Sequence, residues 1–584
     1  MTTTHTLPSG LVESMSGAGS RAETDLLRGG QLSKRLVQLR AILDLAGQDA
    51  PEDAQIAGLR ESFAALAAIQ RRAPDVVAGL LSGPQAGAWA ARCLHRLAGS
   101  PSRTPLWIHL AHLGSIALAA AVRSGVDIDV LVPVRTGKVS LPTLGLATVD
   151  SGGPWALARA APGDPVRLDG AKPLDWQPVR ALETDAVTVY VDDADAYWTC
   201  FGLPVRYQVP GPEIDRWRRH LDGALAVLAE RHPDRLAAVT SALQCLVPVD
   251  QQGRFAGVSA SSAQAPGAVA LTEPAGPQRF AATLVHEIQH FRLSALHDLV
   301  PVHQMETGPR VYSPWRNDPR GLPGLLHGTY AFLGVADFWS REWPGAGRAA
   351  ELMYARTLRQ LWIARRILAT ASALTPAGTA LAEAVGEQID RLPETGLSAD
   401  IRRLAGDLTA HHLALWRLRY AEPDPAEVAA VADAWERGET VAPQGDPLYH
   451  TTAESAPGGD SPLFRLATEW VEDPATLTGL AADPVAFAAH CPGANPGDLA
   501  LLAGDYRKVQ AERLADIAAG TTDETGWASL SVAHARLCAD PDRSPLAVRP
   551  ELVRAARDDR RYLPLRDMVS RYITGTSTSD SIRR

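Results

Sequence analysis

The sequence has 584 residues, of which 46% are hydrophobic and 21% are charged, and its formal net charge is −9. This composition is typical of a globular protein with several folding units, and the absence of basic runs mixed with aromatic residues argues against nucleic-acid binding. The five cysteines are scattered without C-x-x-C spacing, which argues against a disulfide framework or a cysteine metal cluster.

The two segments that bear on location are the N-terminus and the most apolar stretch. The first residues lack a basic start followed by an apolar run, so we expect no export signal and a cytoplasmic location. The most apolar stretch runs from Leu106 to Val122, but His109, His112 and Ser115 interrupt it. It is also short for a bilayer, so it predicts a buried helix and no membrane domain.

Hydrophobic periodicity predicts a mainly α fold with a smaller β-rich segment (α+β) and several domains. Residues 1 to about 22 are rich in Thr, Ser and Gly and are expected to be loose, and helical spacing predicts an N-terminal helical domain over 1–125. Short β-branched runs predict a β-rich segment over 126–210. We expect a metal-binding catalytic domain over 211–395, with the metal site on a helix pair, and a C-terminal helical domain over 396–584.

Three aspartates, Asp192, Asp193 and Asp195, directly follow the last run of the predicted β-rich segment. Clustered carboxylates of this kind can hold a metal ion, but a D-D-x-D pattern after a strand is more typical of a solvated turn. We therefore interpret them as turn residues.

The strongest chemical signal is the H-E-x-x-H motif formed by His286, Glu287 and His290. Two histidines four residues apart project from the same side of a helix, so both rings can reach one metal ion, with Glu287 beside them. The flanks fit this interpretation, because residues 267–273 resemble a short buried strand and Pro277 suits the first turn of a helix.

A metal held by two histidines needs at least one more protein ligand, and that ligand separates the reaction classes. The metzincin pattern is excluded, since Leu293 and Leu296 stand where its glycine and third histidine would be. His297 lies about 10 Å beyond His290 along a continuous helix, too far to share the ion. A thermolysin-like enzyme would use a glutamate from a following helix, and the candidates are Glu306, Glu342 and Glu351.

His327 is the preferred third ligand. It follows a loop dense in Pro and Gly that ends at Gly324, where an apolar helix is expected to begin with His327 in its first turn. The same loop carries Trp315, Arg316 and Arg320, which is a composition typical of functional loops on a rigid scaffold.

The run from Thr283 to His297, together with W-R-N-D-P-R at 315–320 and G-L-L-H-G-T-Y-A-F at 324–332, resembles the HExxH-domain family of ribosomal-peptide (RiPP) modification proteins. The resemblance covers roughly residues 25 to 420, and the missing C-x-x-x-C-x-x-C cluster indicates the free-standing form. It implies an iron(II)- and α-ketoglutarate-dependent β-hydroxylase that acts on a precursor peptide, with His286, His290 and His327 as iron ligands.

In that reading Arg316 or Arg320, with Arg310 as a weaker third, receives the far carboxylate of α-ketoglutarate beside Trp315, because a guanidinium pairs bidentately with a carboxylate. Tyr330 donates to the cosubstrate or packs, and Glu287 orients a ligand or the substrate. Two other classes stay open. One is a zinc peptidase with Glu287 as general base, and the other is a non-catalytic, metal-stabilised scaffold that binds peptides.

Overall fold

The computed structural model describes residues 6–169, 171–250, 257–304, 310–443, 448–449, 461–560 and 564–574. Helices dominate these residues and short strands form small sheets, so the predicted mainly α fold with a smaller β part is confirmed. The chain divides into two compact units, one of Met1–Val302 with Thr375–Ala384 and the other of His303–Leu374 with Val385–Arg584.

Helices of the first unit begin at residues that favour a helix start. Ser20 and Glu23 form a reciprocal capping box at the start of the longest helix, and proline occupies an early position in several others. The helices are α1 (Leu11–Ser14), α2 (Arg21–Asp49), α3 (Pro51–Ile56), α4 (Leu59–Arg72), α5 (Pro74–Ser82), α6 (Pro84–Leu97), α7 (Leu106–Ser124), α8 (Gly211–Arg231), α9 (Pro233–Ala242) and α10 (Pro277–Leu299).

Strands of the first unit are short, because turns interrupt the β-branched runs. They are β1 (Ile128–Pro133), β2 (Lys138–Leu141), β3 (Gly145–Ser151), β4 (Trp155–Ala160), β5 (Arg167–Asp169), β6 (Ala171–Pro178), β7 (Arg180–Glu183), β8 (Thr188–Val191), β9 (Cys245–Pro248), β10 (Ser259–Ala260) and β11 (Ala268–Leu271). They form antiparallel sheets β1-β4-β5 and β2-β3-β6, and a mixed five-stranded sheet in the order β10-β11-β9-β8-β7. The five-stranded sheet therefore draws strands from both sides of residue 210.

Helix α7 lies in the hydrophobic core of the first unit and packs against α4, α6 and β1. Within the described part of the chain it alone is long and apolar enough to cross a membrane, and 72% of its apolar window is buried inside the protein. The prediction that this stretch forms a buried helix is confirmed.

The N-terminal segment differs from the prediction. From residue 6 onward it is described, Met15 is completely buried, and the guanidinium of Arg292 on α10 donates to the carbonyl oxygens of Gly17 and Ala18 at 2.9 and 3.1 Å. The expectation of a loose segment up to residue 22 was wrong for these residues. The prediction rested on the low hydrophobicity of these residues. It did not take into account that their carbonyl groups satisfy the buried guanidinium of Arg292 on α10.

The interpretation of Asp192, Asp193 and Asp195 as solvated turn residues was also wrong. Their exposed fractions are 0%, 0% and 2%. Asp192 accepts hydrogen bonds from the Gln85 side chain and from the backbone of Ala194 and Asp195, and the Arg180 guanidinium donates to Asp193. The chain does turn here, as expected, but the turn lies in the interior.

The second unit is helical. Aspartate or serine caps several of its helices, as at Ser461, Asp473 and Asp523. Its helices are α11 (Leu322–Glu342), α12 (Arg348–Ala369), α13 (Pro376–Arg391), whose first part belongs to the first unit, α14 (Ala399–Tyr420), α15 (Pro425–Glu436), α16 (Pro462–Glu472), α17 (Pro474–Leu480), α18 (Pro484–His490), α19 (Asp498–Ala503), α20 (Tyr506–Ala519), α21 (Glu524–Leu537), α22 (Pro545–Val548), α23 (Pro550–Asp559) and α24 (Leu565–Thr574). A small sheet pairs β12 (Ala421–Glu422) with β13 (Leu448–Tyr449).

The start of one helix in the second unit corrects the sequence analysis. Helix α11 begins at Leu322, so His327 lies in its second turn and not in its first. Proline at 323 is tolerated there because the first helical N–H groups have no partner within the helix. The predicted glutamate candidate Glu306 lies outside the described residues.

Candidate metal centre

Helix α10 carries the H-E-x-x-H motif, and it forms where the sequence predicted. It begins at Pro277 after strand β11, and its apolar residues Phe280, Leu284, Val285 and Ile288 are at most 2% exposed. The helix packs against α8, α2 and α9. A buried strand followed by a buried helix therefore holds the motif rigidly, which is what a metal site requires of its ligands.

His286 and His290 converge on one point. Their Nε2 atoms are 3.2 Å apart, and the ring planes meet at 83° with centroids 4.7 Å apart. Two imidazole ligands about 2.1 Å from one ion would have nitrogens roughly 3.0 Å apart at a right angle and about 3.4 Å apart at a tetrahedral angle. The observed separation lies between these values, so the pair fits two adjacent ligands of a single metal ion.

The electrostatics of His286 also suit a ligand. Burial lowers the pKa of this half-buried ring, and the neighbouring Glu287 acts in the opposite direction and raises it. The net lowering favours the neutral imidazole, which is the form that donates a lone pair to a metal.

Glu287 lies beside the histidine pair with a side chain that is only 2% exposed. Its Oε1 accepts a 2.7 Å hydrogen bond from the hydroxyl of Ser259 on β10, while its buried Oε2 has no hydrogen-bond partner among the described residues. A buried carboxylate oxygen without a partner is costly, so it indicates a bound group that the protein alone does not supply.

In the second unit, the loop that precedes α11 is held together by hydrogen bonds within its own backbone. Val311 and Arg320 exchange two backbone hydrogen bonds of 2.7 and 3.0 Å, and the Arg316 N–H donates to the Ser313 carbonyl at 2.9 Å. The indole of Trp315 stacks on Phe332 with centroids 4.9 Å apart. These contacts hold the loop in one conformation.

Glycine at position 328 allows this loop to pack on α11. A Cβ there would lie 2.1 Å from the indole Nε1 of Trp315, and a Cβ at position 324 would lie 3.6 Å from the Cβ of Arg320. Positions 324 and 328 are one turn apart on the same helix face, and His327 adjoins both. Trp315 and Arg320, which the sequence predicted as site residues, therefore pack on α11, the helix that also carries His327.

Asp318 pairs with both candidate arginines. Arg316 reaches it through Nε at 3.1 Å and Arg320 through one terminal amino group at 3.1 Å. Burial and the nearby charge of Arg316 lower the pKa of Arg320. Arg316 thus keeps both terminal amino groups of its guanidinium for a bidentate partner, whereas Arg320 has already committed one of them.

The remaining predicted residues are placed as follows. His286, Glu287 and His290 belong to the first unit, while Trp315, Arg316, Arg320, His327 and Tyr330 belong to the second. Within the described ranges no group of three or more His, Cys, Asp or Glu side chains is arranged to hold a metal. The pair is thus an observed feature, and His327 as third ligand stays a prediction. Tyr330 is completely buried one turn after His327.

Two of the other candidate ligands, His297 and Glu351, have structural roles, and Glu342 is buried on α11. His297 accepts a hydrogen bond from the Val302 N–H at 3.2 Å, at the end of α10. Glu351 accepts one from the Ser398 N–H at 2.5 Å, at the start of α14. Both therefore help to end or begin a helix.

Sequence reasoning missed three residues of these two regions, namely Ser259, Asp318 and Gly328. Ser259 lies on a separate strand, 28 positions before Glu287, and no spacing rule connects them. Asp318 lay inside the loop that was singled out, and its position between two arginines could have indicated an ion-pair network.

The chain matches no known family model and no curated protein sequence.

Proposed function

We propose that this chain is a mononuclear metal enzyme, namely an iron(II)- and α-ketoglutarate-dependent hydroxylase that modifies a side chain of a ribosomally made precursor peptide in the cytoplasm. The observation that carries the proposal is the 3.2 Å approach of the His286 and His290 Nε2 atoms on a rigid helix. The resemblance of residues 283–297, 315–320 and 324–332 to the RiPP HExxH-domain family supplies the reaction type.

His286 and His290 would hold the iron, with His327 as third ligand. Three protein ligands on one face of an iron ion leave room for a keto acid and dioxygen, and iron with both bound supplies the oxidation. The protein's part is to hold the rings neutral and fixed, to orient the peptide and to exclude bulk water. Glu287 would contribute its unpartnered Oε2 as an acceptor for a donor on the substrate peptide.

Arg316 is the preferred partner for the distal carboxylate of α-ketoglutarate. Its two terminal amino groups make no hydrogen bond within the described residues, and the Asp318 contact through Nε fixes the plane of the guanidinium. Arg320 would support Asp318, and Trp315 would anchor the loop on α11. Tyr330 would donate a hydrogen bond to the cosubstrate.

A zinc peptidase is the second candidate, and one observation favours it. A general base needs a carboxylate oxygen that is free to take a proton from metal-bound water, and Oε2 of Glu287 has no partner in the described structure. In the hydroxylase proposal the same oxygen atom binds the substrate peptide. The position of Glu287 therefore fits both functions, and only the reaction product distinguishes them.

The mass of the product decides between them. The purified protein is reconstituted anaerobically with iron(II) and then given a precursor peptide, α-ketoglutarate and air. We expect an intact peptide that is about 16 mass units heavier, with succinate formed in step, because one oxygen atom is inserted and the other enters the keto acid. Peptide fragments that form with zinc and without the keto acid would establish the peptidase. An unchanged peptide that nevertheless binds would favour the scaffold.

A further inference from the structure

A cavity of about 280 Å³ opens in the first unit, apart from the H-E-x-x-H helix. It is lined by the end of β6, by Arg180 at the start of β7, and by the loop before α8. The lining residues are Asp175, Trp176, Gln177, Pro178, Arg180, Gln208 and Val209. Its volume suits one large side chain of a bound chain and is small for a whole cofactor.

One wall of this cavity is held rigidly by a buried ion pair. The Arg180 guanidinium donates to the Val209 carbonyl at 2.5 Å and to Asp193 Oδ2 at 2.6 Å, and the same carboxylate accepts the Val209 N–H at 2.7 Å. Gln208 on the rim has a φ of 61°, a left-handed conformation that is uncommon for a residue other than glycine. Strained positions held by their surroundings occur frequently at binding sites.

Two of the residues that line the cavity carry polar atoms that lack partners. Both the Oε1 and the Nε2 atoms of Gln177 are buried without a hydrogen bond in the described part of the chain, and so is the Nε of Arg180. Native proteins rarely leave such atoms unsatisfied. An amide with a free acceptor and a free donor is complementary to a peptide group, which presents one N–H and one C=O.

Strand β6 provides an edge beside these atoms. It pairs with β3 and with no other strand among the residues described, so it is an edge strand of its sheet. Two large apolar side chains on it, Leu174 and Trp176, are 60% and 46% exposed. Exposed tryptophan next to unpaired strand edges and unsatisfied amides is typical of surfaces that bind extended peptides.

We propose that this cavity and the outer edge of β6 form a docking site for an extended peptide segment, with one of its side chains in the cavity and another against Trp176. The unpaired strand edge favours a peptide over a glycan, which would use the tryptophan face but not the backbone edge. The identification of that peptide as a recognition segment of the enzyme's substrate rests on the proposed function.

The five-stranded sheet gives the spacing between the strand that begins with Arg180, a residue of the cavity, and the strand that contacts Glu287. Strand β7, which begins at Arg180, and strand β10, whose Ser259 contacts Glu287, are the two outermost strands of the five-stranded sheet. Four strand spacings of about 4.8 Å separate them by roughly 19 Å. An extended chain covers that distance with about six residues, so the recognised segment and the modified residue should be at least that far apart in the substrate.

The test uses the full-length protein and a phage-displayed library of random peptides, each about 15 residues long so that it exceeds the span above. A selected peptide is resynthesised with a fluorescent label, and its affinity is measured by anisotropy without metal or keto acid. We expect Trp176→Ala to weaken binding about 30-fold, as for a central aromatic contact, and Gln177→Ala to weaken it about 5- to 10-fold. Trp155→Ala is the matched control, because that tryptophan on β4 is similarly exposed at 41%.

Stability separates a binding role from a structural one. Gln177→Ala removes two unsatisfied buried atoms, so its Tm should stay the same or rise while its affinity for the peptide falls. Equal affinities of Trp176→Ala and Trp155→Ala, loss of affinity only in proportion to loss of Tm, or selective binding of glycans in place of peptides would each overturn the docking site. Peptide binding that depends on Trp176 in a protein that oxidises nothing would leave the docking site intact and refute the proposed function.

Discussion

Sequence reasoning assigned one buried polar group of the first unit to a metal site and another to a solvated turn. The structures of the two groups explain why only the first was recognised as buried and functional. The motif group consists of His286, Glu287 and His290 on one helix. The acid cluster consists of Asp192 and Asp195 with His109, His112 and Tyr197, and it is assembled from α7 and from the turn after β8. Spacing along one helix is visible in a sequence, whereas an assembly of distant segments is not.

The two groups also differ in how their polar atoms are satisfied. In the acid cluster, both oxygens of Asp192 accept hydrogen bonds, three in all, and Asp195 accepts the Tyr197 N–H at 2.8 Å. Oδ2 of Asp195 and the Nε2 atoms of the cluster's two histidines are buried without a partner among the described residues. In the motif group, the two Nε2 atoms face each other and Glu287 keeps one oxygen without a partner among the described residues. The clearest difference is between the two carboxylates, because both oxygens of Asp192 are satisfied by the protein and one oxygen of Glu287 is not. We therefore expect Asp192 mainly to stabilise the fold and the motif group mainly to bind a ligand.

The largest expected effect is on metal affinity. His290→Ala should weaken iron(II) or zinc binding about 1,000-fold or more, since each ligand contributes several kcal/mol, and should change Tm little. His327→Ala should do the same if it completes the site. His297→Ala is the control, because that ring accepts the Val302 N–H, and it should keep full affinity. Anaerobic metal titration measures all three. Full affinity in His327→Ala would remove that residue from the centre.

Substitutions in the acid cluster should lower stability and leave metal affinity unchanged. Asp192→Ala leaves the buried Gln85 amide and two backbone N–H groups without an acceptor, and we expect a loss of about 3 kcal/mol in the free energy of unfolding. Asp192→Asn keeps one acceptor oxygen for the two backbone N–H groups and places an NH2 group against Gln85, whose amide can turn its own oxygen towards it, so this change should cost less, about 1 kcal/mol. Urea unfolding measures both. A stable Asp192→Ala protein that has lost metal binding would contradict the division between the two groups.

These contrasts show what the sequence could predict. Apolar residues at helical spacing predicted α10, and Pro277 marked its first residue, because these signals act within one element. The charge of Asp192 and Asp193 suggested exposure, but Gln85 and Arg180 compensate it from distant positions in the chain. The partner of Glu287, Ser259, also comes from a separate strand. Pairings of this kind depend on tertiary structure, which no local pattern encodes.

Low pH should destabilise the folded protein because the acid cluster contains a buried histidine with a lowered pKa. Burial, together with the nearby charges of His109 and Arg135, lowers the pKa of His112 to about 3. The unfolded chain takes up this proton near pH 6.5, so below that pH the unfolded state binds more protons and stability falls. From pH 7 to pH 5 the loss for His112 is about 2 kcal/mol. His112→Phe keeps an aromatic ring against Tyr197 and should remove this part of the pH dependence.

The measurement is the midpoint of urea unfolding at several pH values. The control is His95→Phe, because His95 is exposed on α6 and lies outside the acid cluster. If the wild-type protein and His112→Phe lose the same stability between pH 7 and pH 5, His112 is not held neutral in the folded protein. The acid cluster would then differ less from the motif group than the structure indicates.

The smallest effect concerns the contact that fixes Glu287. Ser259→Ala removes the 2.7 Å hydrogen bond to Oε1 and should lower the free energy of unfolding by about 1 kcal/mol, whereas Ser259→Thr retains the hydroxyl and should cost less. Metal affinity should stay within about threefold, because neither histidine is touched. In a Glu287→Gln background the Ser259→Ala cost should shrink, since a neutral amide oxygen accepts a weaker hydrogen bond than a carboxylate does. An unchanged cost in that background would mean that Ser259 stabilises β10 by itself. Glu287 would then be oriented by the helix alone.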